Sequence, residues 1–537
     1  MTTTQWWRDA VIYQIYPRSF ADANGDAYGD LAGIISRLDY LVELGVDAVW
    51  LSPFYLSPMA DAGYDVADYE TIDPLFGSNA EAEALIERAH ELGLKVIIDL
   101  VPNHTSDQHR WFQAAIAAEP GSPEREMYLF RDGTGPDGTQ PPNNWKSVFG
   151  GNGWTRLRRP DGSPEQWYLH IFDVHQPDLN WESERVREAF DAVLRHWLDR
   201  GVDGFRVDVA HSLVKAAGLP DEPAATQLME GQLGPQWNQP GVHDVYRRWR
   251  EVLDTYDGDR ALVAEAWVPD PAELAKYVRP DEMNQAFNFD FLTVGWDAAR
   301  YREVIDTTMA ANAAVGAPTT WVLSNHDVVR HRSRLGRATP NDIDGYGAED
   351  PQADDVLGLA RARAATLLML ALPGSAYLYQ GEELGLPEHG AVPDDLRQDP
   401  VWFRSQHTRK GRDGCRIPLP WAADEPGLGF SPTGATWLPQ PESYRALSVD
   451  RQQGVTGSTW ELYHQALRLR REHDLGQGSV AWQPSDPAVL SFDNGSVRVI
   501  VNLGASPVSL PAGHSIALAS SDIDGTVPPN AAVWLTR

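Results

Sequence analysis

Along the first two thirds of the chain, short continuous apolar runs alternate with stretches in which apolar positions recur at helical spacing. Residues 11–16 read as a strand, and residues 31–44 then repeat apolar side chains every three or four positions until Gly45 ends the run. Residues 47–51 give the second strand, 81–92 the second helix and 95–100 the third strand. These strand runs do not alternate in polarity, which is the pattern of strands covered on both faces of a parallel sheet. The rhythm stops after Asn103 and His104. Residues 105–176 hold no clean strand and helix pair, and 133–153 are dense in Gly, Pro and Asn, so an inserted domain after strand three is expected. A helix resumes at 186–198, with further strands expected at 203–207, 261–264, 285–289, 320–323 and 376–379. Eight strands with intervening helices predict an α/β fold closed as a (β/α)₈ TIM barrel, built from residues 1–104 and 177–473. Inside that span, residues 386–437 form a loop-rich excursion and 460–472 the last barrel helix. Short strand candidates at 480–482, 490–492, 496–501 and 531–535 predict a C-terminal antiparallel β-domain, a β-sandwich over residues 474–537.

Composition narrows the classes of function. The 537 residues, 42% hydrophobic and 23% charged, suffice for one large domain and a smaller one. With 76 Asp plus Glu against 45 Lys plus Arg, the formal net charge is -31. Such a field repels phosphate backbones and acidic membranes and favours neutral partners, so neither nucleic acid nor membrane is an expected partner. Cys415 is the one cysteine, which excludes an intramolecular disulfide. With no His paired to it, it reads as a small buried residue and not as a nucleophile. No signal-peptide pattern follows Met1, and the apolar runs are too short to span a bilayer. The expected setting is the cytoplasm, and the expected state a monomer or homodimer.

Several predicted strands end the same way, with apolar residues followed at once by ionisable ones. The third ends in Asp99 and then Asn103 and His104, the fourth in Arg206 and Asp208, the fifth in Glu265, and the seventh in Asn325, His326 and Asp327. In a (β/α)₈ barrel the C-terminal strand ends converge on one pocket, so residues a hundred positions apart meet there. Any one carboxylate alone reads as a structural ion pair; carboxylates at four strand ends favour a reactive centre. Cleaving a glycosidic bond needs a proton for the leaving oxygen and negative charge beside an oxocarbenium ion, and in a retaining enzyme one carboxylate attacks the anomeric carbon. The acid needs a raised pKa, while Arg206 is placed to keep a nucleophile ionised and aimed. No nicotinamide fingerprint, phosphate-binding loop or zinc motif competes, so no organic cofactor is expected.

The segments DLVPNHT at 99–105, GFRVDV at 204–209, AEAW at 264–267 and SNHD at 324–327 resemble, in order and spacing, the four hallmark segments of the alpha-amylase family of glycoside hydrolases. QPDLN at 176–180 resembles the signature of its alpha-glucosidase and oligo-1,6-glucosidase branch, as does GRDGCRIP at 411–418 in the eighth-strand excursion. The resemblance implies that Asp208 is the nucleophile, Glu265 the general acid/base, and Asp327 the transition-state stabiliser that holds the sugar's 2- and 3-hydroxyls. It assigns His104, His326 and Arg206 to the subsite of the non-reducing glucose. In DAGYD at 61–65 it implies that Tyr64 stacks on that glucose, with loop packing as the alternative, and that Asp65 binds its 4- and 6-hydroxyls. Asp65 and Arg412 are then expected to clamp the terminal ring, which implies exo action on small neutral gluco-oligosaccharides; Arg416 is expected to be structural.

Two readings stay open. Val209 follows the nucleophile and in relatives accompanies 1,6-linkage cleavage, but Ala210 and His211 follow in place of the Ile-Asn pair common there, and His211 is expected on the acceptor side, so 1,4-linked substrates remain open. In DANGDAYGD at 22–30, Asp22, Asn24, Asp26 and Asp30 supply alternating hard oxygens and Tyr28 a carbonyl. This suits a structural Ca²⁺ or Mg²⁺ and also reads as an Asx-rich turn. Hydrolysis is the leading expectation, with glucosyl transfer or sucrose or trehalose conversion as the alternative through the same covalent intermediate.

Overall fold

β1 (Val11–Ile15), β2 (Ala48–Leu51), β3 (Lys95–Leu100), β4 (Gly204–Val207), β5 (Ala261–Ala264), β6 (Gln285–Ala286), β7 (Thr320–Val322) and β8 (Ser375–Tyr379) pair in parallel. The computed structural model describes residues 5–159, 161–222 and 234–537; residues 1–4, on which the leaderless reading of the N-terminus partly rests, lie outside them. The sheet runs β6, β5, β4, β3, β2, β1, β8, β7, and a parallel bridge between Phe287 and Thr320 brings its two edges together into a nearly closed barrel. Registers such as Ile12 with Ala48 and Asp99 with Arg206 set the strand ends level around one rim.

The interior is filled, not hollow. Ile12, Trp50, Ile97, Val263, Phe287, Val322 and Tyr377 belong to one buried cluster, with the Trp50 and Phe287 ring centroids 5.6 Å apart and those of Phe287 and Tyr377 4.8 Å apart. Truncating such an aromatic to Ala costs about 3–5 kcal/mol. That packed layer is the floor on which the polar strand tips stand.

The surrounding helices follow from local signals. Asp30 caps α1 (Leu31–Leu44) through the Gly33 N–H, and Gly45 closes it at φ 99°. Ser78 caps the start of α2 (Asn79–Glu91), its hydroxyl accepting from the Glu81 N–H and donating to the Glu81 carboxylate. Strand six is shorter than residues 285–289 suggest, because the Asn288 side chain caps a short helix, Phe289–Thr293, through the Phe291 N–H and turns the chain out of the sheet.

After β3 the chain makes a three-stranded antiparallel sheet from Phe130–Arg131, Trp154–Arg158 and Pro164–Leu169. Phe149 and Phe172 from this insertion pack with Val209 of the barrel and Val401 of the late excursion. The C-terminal region is a five-stranded antiparallel sheet beside a two-stranded one. Its edge strand Ser515–Ala519 is absent from the sequence reading, since its first residues are exposed and leave no clear alternation. No helix among the described residues is long and apolar enough to cross a membrane.

Candidate active site

Alternation along β4 points Arg206 and Asp208 to the same side. One Arg206 Nη1 donates to Asp99 Oδ1 at 2.7 Å and to Asp208 Oδ1 at 2.8 Å, and Nη2 lies 3.0 Å from Glu265 Oε2 just beyond β5. The guanidinium lies 5.1 Å above the Trp50 ring at the top of the packed floor. Asp208 and Glu265 are 6% and 8% exposed, so they reach the pocket without being solvated by it. Burial pushes Asp208 well above the ordinary carboxylate range, with Arg206 pulling the other way and the neighbouring acids adding to the rise. Asp99, fully enclosed, is pushed up by burial to about 7 against the same guanidinium. Removing Arg206 would leave three buried carboxylates uncompensated, a change that costs about 3–5 kcal/mol for a single buried pair.

Glu265 is further fixed by two donors: the Val209 N–H reaches Oε2 at 2.9 Å and the Trp267 indole reaches Oε1 at 3.1 Å. Val209 makes its contact at φ 45°, a strained setting for a β-branched residue. His211 stacks on Trp237 beside it, centroids 5.2 Å apart.

The opposite wall is held by two arginines and a histidine. Asp327 Oδ1 accepts from Arg412 at 2.9 Å and Arg416 at 3.0 Å, and His326 Nε2 is 3.3 Å from Oδ2. Burial would raise the Asp327 carboxyl, but these neighbours outweigh it and hold it below the ordinary range. Tyr64 lies parallel to His326 with centroids 5.3 Å apart, its hydroxyl 2.7 Å from His326 Nε2. His104 sits 3.1 Å from the Tyr64 carbonyl, and burial lowers its pKa to about 4, leaving a neutral ring at the pocket edge.

One expected contact is corrected. Asp65 is fully buried and turned away, its carboxylate accepting from the Ser57 hydroxyl and from the Ala60 and Asp61 amides at 2.9 Å. The acid of this loop that meets Arg412 is Asp61, at 2.8 Å, with Gln176 on its other oxygen at 3.2 Å. Asp65 folds the loop and Asp61 faces the cavity; both acids stand in one segment, and only the turn decides which points inward. Arg416, read as structural, also reaches Asp327. Phe149 and Phe172 escaped sequence reasoning because nothing local marks an aromatic that arrives from a distant loop, and Trp267, though inside the AEAW segment, was given no role of its own.

Asp208, Glu265, Asp327, Tyr64, His104, Val209, His211 and Arg412 all line one small cavity, whereas Arg206 and His326 lie beneath its surface. A larger hollow at the other end of the barrel, between Asp47, Lys95 and Arg471, gathers none of these acids.

In the loop at 22–30, Asp22 accepts from the Gly25 and Ala27 amides at 2.6 and 2.9 Å, Asn24 from Asp26 and Asp26 from Tyr28 at 2.9 Å, and Asp30 from Ala23 and Asn24 at 3.1 and 3.2 Å. Asp22 and Asp26 keep lone pairs free to face a hard cation, whereas Asp30 Oδ2 is already filled by its two amides. Among the described residues no three His, Cys, Asp or Glu side chains converge as a metal group, so a cation here would draw on Asn24 and main-chain oxygens as well.

A nearly closed parallel barrel whose strand tips bring three acids to one small pocket defines a glycoside-processing enzyme. The family model for the alpha amylase catalytic domain matches residues 14–478, and the chain belongs to the alpha-amylase family, in its oligo-1,6-glucosidase and alpha-glucosidase branch; it acts on α-glucosides as a glycosidase or transglycosylase. It is 39% identical over 507 residues to a probable alpha-glucosidase of Rhizobium meliloti (strain 1021), covering 91% of this chain and 86% of that one. It is 36% identical over 510 residues to the oligo-1,6-glucosidase of Heyndrickxia coagulans, covering 88% and 86%. The crystal structure of an alpha-glucosyl transfer enzyme, XgtA, superposes with a TM-score of 0.85 at 39% identity over 100% of both chains.

Proposed function

We propose that the protein removes the terminal α-glucosyl unit of a short α-glucoside and passes it, with retention, to a hydroxyl acceptor, water being the competing acceptor. The observation that carries this reading is the single Arg206 guanidinium within 3.0 Å of both Asp208 and Glu265. One cation spanning two carboxylates keeps both beside a single sugar ring, an arrangement that suits a retaining pair, in which one acid attacks and the other handles the proton. Asp208 attacks the anomeric carbon while Glu265 gives its proton to the glycosidic oxygen. Glu265 then takes a proton from the incoming hydroxyl as that oxygen displaces Asp208. Asp327, kept ionised by Arg412 and Arg416, bears the 2- and 3-hydroxyls of the ring in flight.

Arg412 and Asp61 close the side where a longer non-reducing chain would lie, which supports exo action on maltose- and isomaltose-type donors. Transfer is favoured over hydrolysis because Phe149, Phe172, Val209 and Trp267 make the rest of the lining apolar, a surface that binds the body of an acceptor and holds water poorly. The end-to-end likeness to a protein described as an alpha-glucosyl transfer enzyme points the same way. The loop at 22–30 is assigned a structural divalent cation.

An aryl α-glucoside tests the reading, because aryl alcohol counts turnovers and free glucose counts hydrolysis. With rising acceptor alcohol, free glucose per turnover should fall while an α-configured product appears; a constant ratio of one refutes transfer, and a β-product refutes retention. Glu265→Gln should lower turnover of a poor-leaving-group donor by roughly 10²–10⁴-fold.

A further inference from the structure

Asp399 stands outside the cavity lining and is 1% exposed, yet it grips Arg412 more closely than either pocket acid does. Its Oδ2 accepts both the Arg412 backbone N–H and Nε at 2.6 Å, and Oδ1 is 3.2 Å from Nη2. The two Nη groups are thereby left aimed into the pocket, at Asp327 and Asp61. Burial would raise the Asp399 carboxyl, but Arg412 and Arg416 outweigh it and keep it ionised. Asp399 is itself set from behind: Asp413 Oδ2 accepts the Gln398 and Asp399 amides at 2.9 and 3.2 Å. The loop thus returns on itself, each acid fastening the backbone that carries the other. Gly411 permits this approach, since a Cβ there would meet the Asp399 carboxyl carbon at 2.7 Å and the backbone lies at φ 70°.

We infer that Asp399 is a positioning residue for glucosyl recognition: it fixes the rotation of Arg412, so that one side chain grips the terminal ring and steadies Asp327 at once. The inference rests on the pocket reading above, in which Arg412 contacts the terminal glucose. A competing account makes Asp399 only the cap of the short helix Pro400–Arg404, through the Val401 N–H at 2.8 Å. Asn and Ser cap helices as well as Asp does, so Asp399→Asn and Asp399→Ser keep that role and lose the charge facing Nε.

The test is a double-mutant cycle on kcat/KM for an aryl α-glucoside and its 4-deoxy analogue, using Asp399→Asn, Asp399→Ser, Arg412→Ala and the doubles. Each Asp399 variant should lose roughly tenfold or more in kcat/KM, narrow the preference for the 4-hydroxyl, and add nothing in the Arg412→Ala background. Losses that multiply, or an unaltered preference for the 4-hydroxyl, overturn the positioning role, as does full activity of a folded single variant. If both single variants fail to fold, Asp399 is a fold residue first and the inference is rejected. If Arg412→Ala itself costs nothing, the pocket reading fails instead.

Discussion

Asp99 and Asp208 lie 2.7 and 2.8 Å from the same guanidinium, in a place where water cannot help either of them to ionise. On the proposed mechanism Asp208 must nonetheless lose its proton before it can attack. Because burial sets the Asp208 pKa above the ordinary value of 3.8, activity should be lost on acidification at a higher pH than a free carboxylate would dictate. The sign is fixed: a raised pKa moves the acidic limb of kcat/KM upward, and replacing Arg206 with Gln moves it further up. A pH profile of wild type and Arg206→Gln checks this, and an acidic limb at or below the free-carboxylate value contradicts it. At this scale much of the site was legible, because Asp208, Glu265 and Asp327 follow strands whose burial marks them. Which of Asp61 and Asp65 enters the pocket was not, since that depends on three donors closing around Asp65 in the folded turn.

Elements with one buried face announce themselves. The periodic run at 31–44 became α1 over Leu31–Leu44, because the cap and the terminal Gly agree with the apolar stripe. Where a side chain competes with the sheet the pattern misleads, as Asn288 does by ending β6 early. Asp30 belongs both to the α1 cap and to the loop assigned a cation, so that loop and helix should melt together. Chelator treatment should lower Tm by several degrees, added Ca²⁺ should restore it, and Asp22→Ala should erase the difference. Scanning calorimetry decides the matter, and a Tm indifferent to chelator removes the cation from the account.

The whole molecule carries a formal charge of -31, which resists its own compaction. Salt screens that repulsion over a Debye length of about 8 Å at physiological strength, so Tm should rise with added NaCl before levelling off. A Tm that falls steadily would mean that surface pairs such as Arg468 with Glu472 outweigh the net repulsion. The barrel rhythm and its interruption after β3 were readable at this scale, but the meeting of Phe172 with Val401 was not, since nothing in either segment refers to the other.

On the proposed exo action, the ion pair between Asp61 and Arg412 also governs traffic. With that end of the cavity shut, whatever leaves after bond cleavage departs by the route along which the next molecule arrives. Departure and arrival must therefore take turns, and a departing sugar that lingers in the doorway is already placed to be glucosylated again.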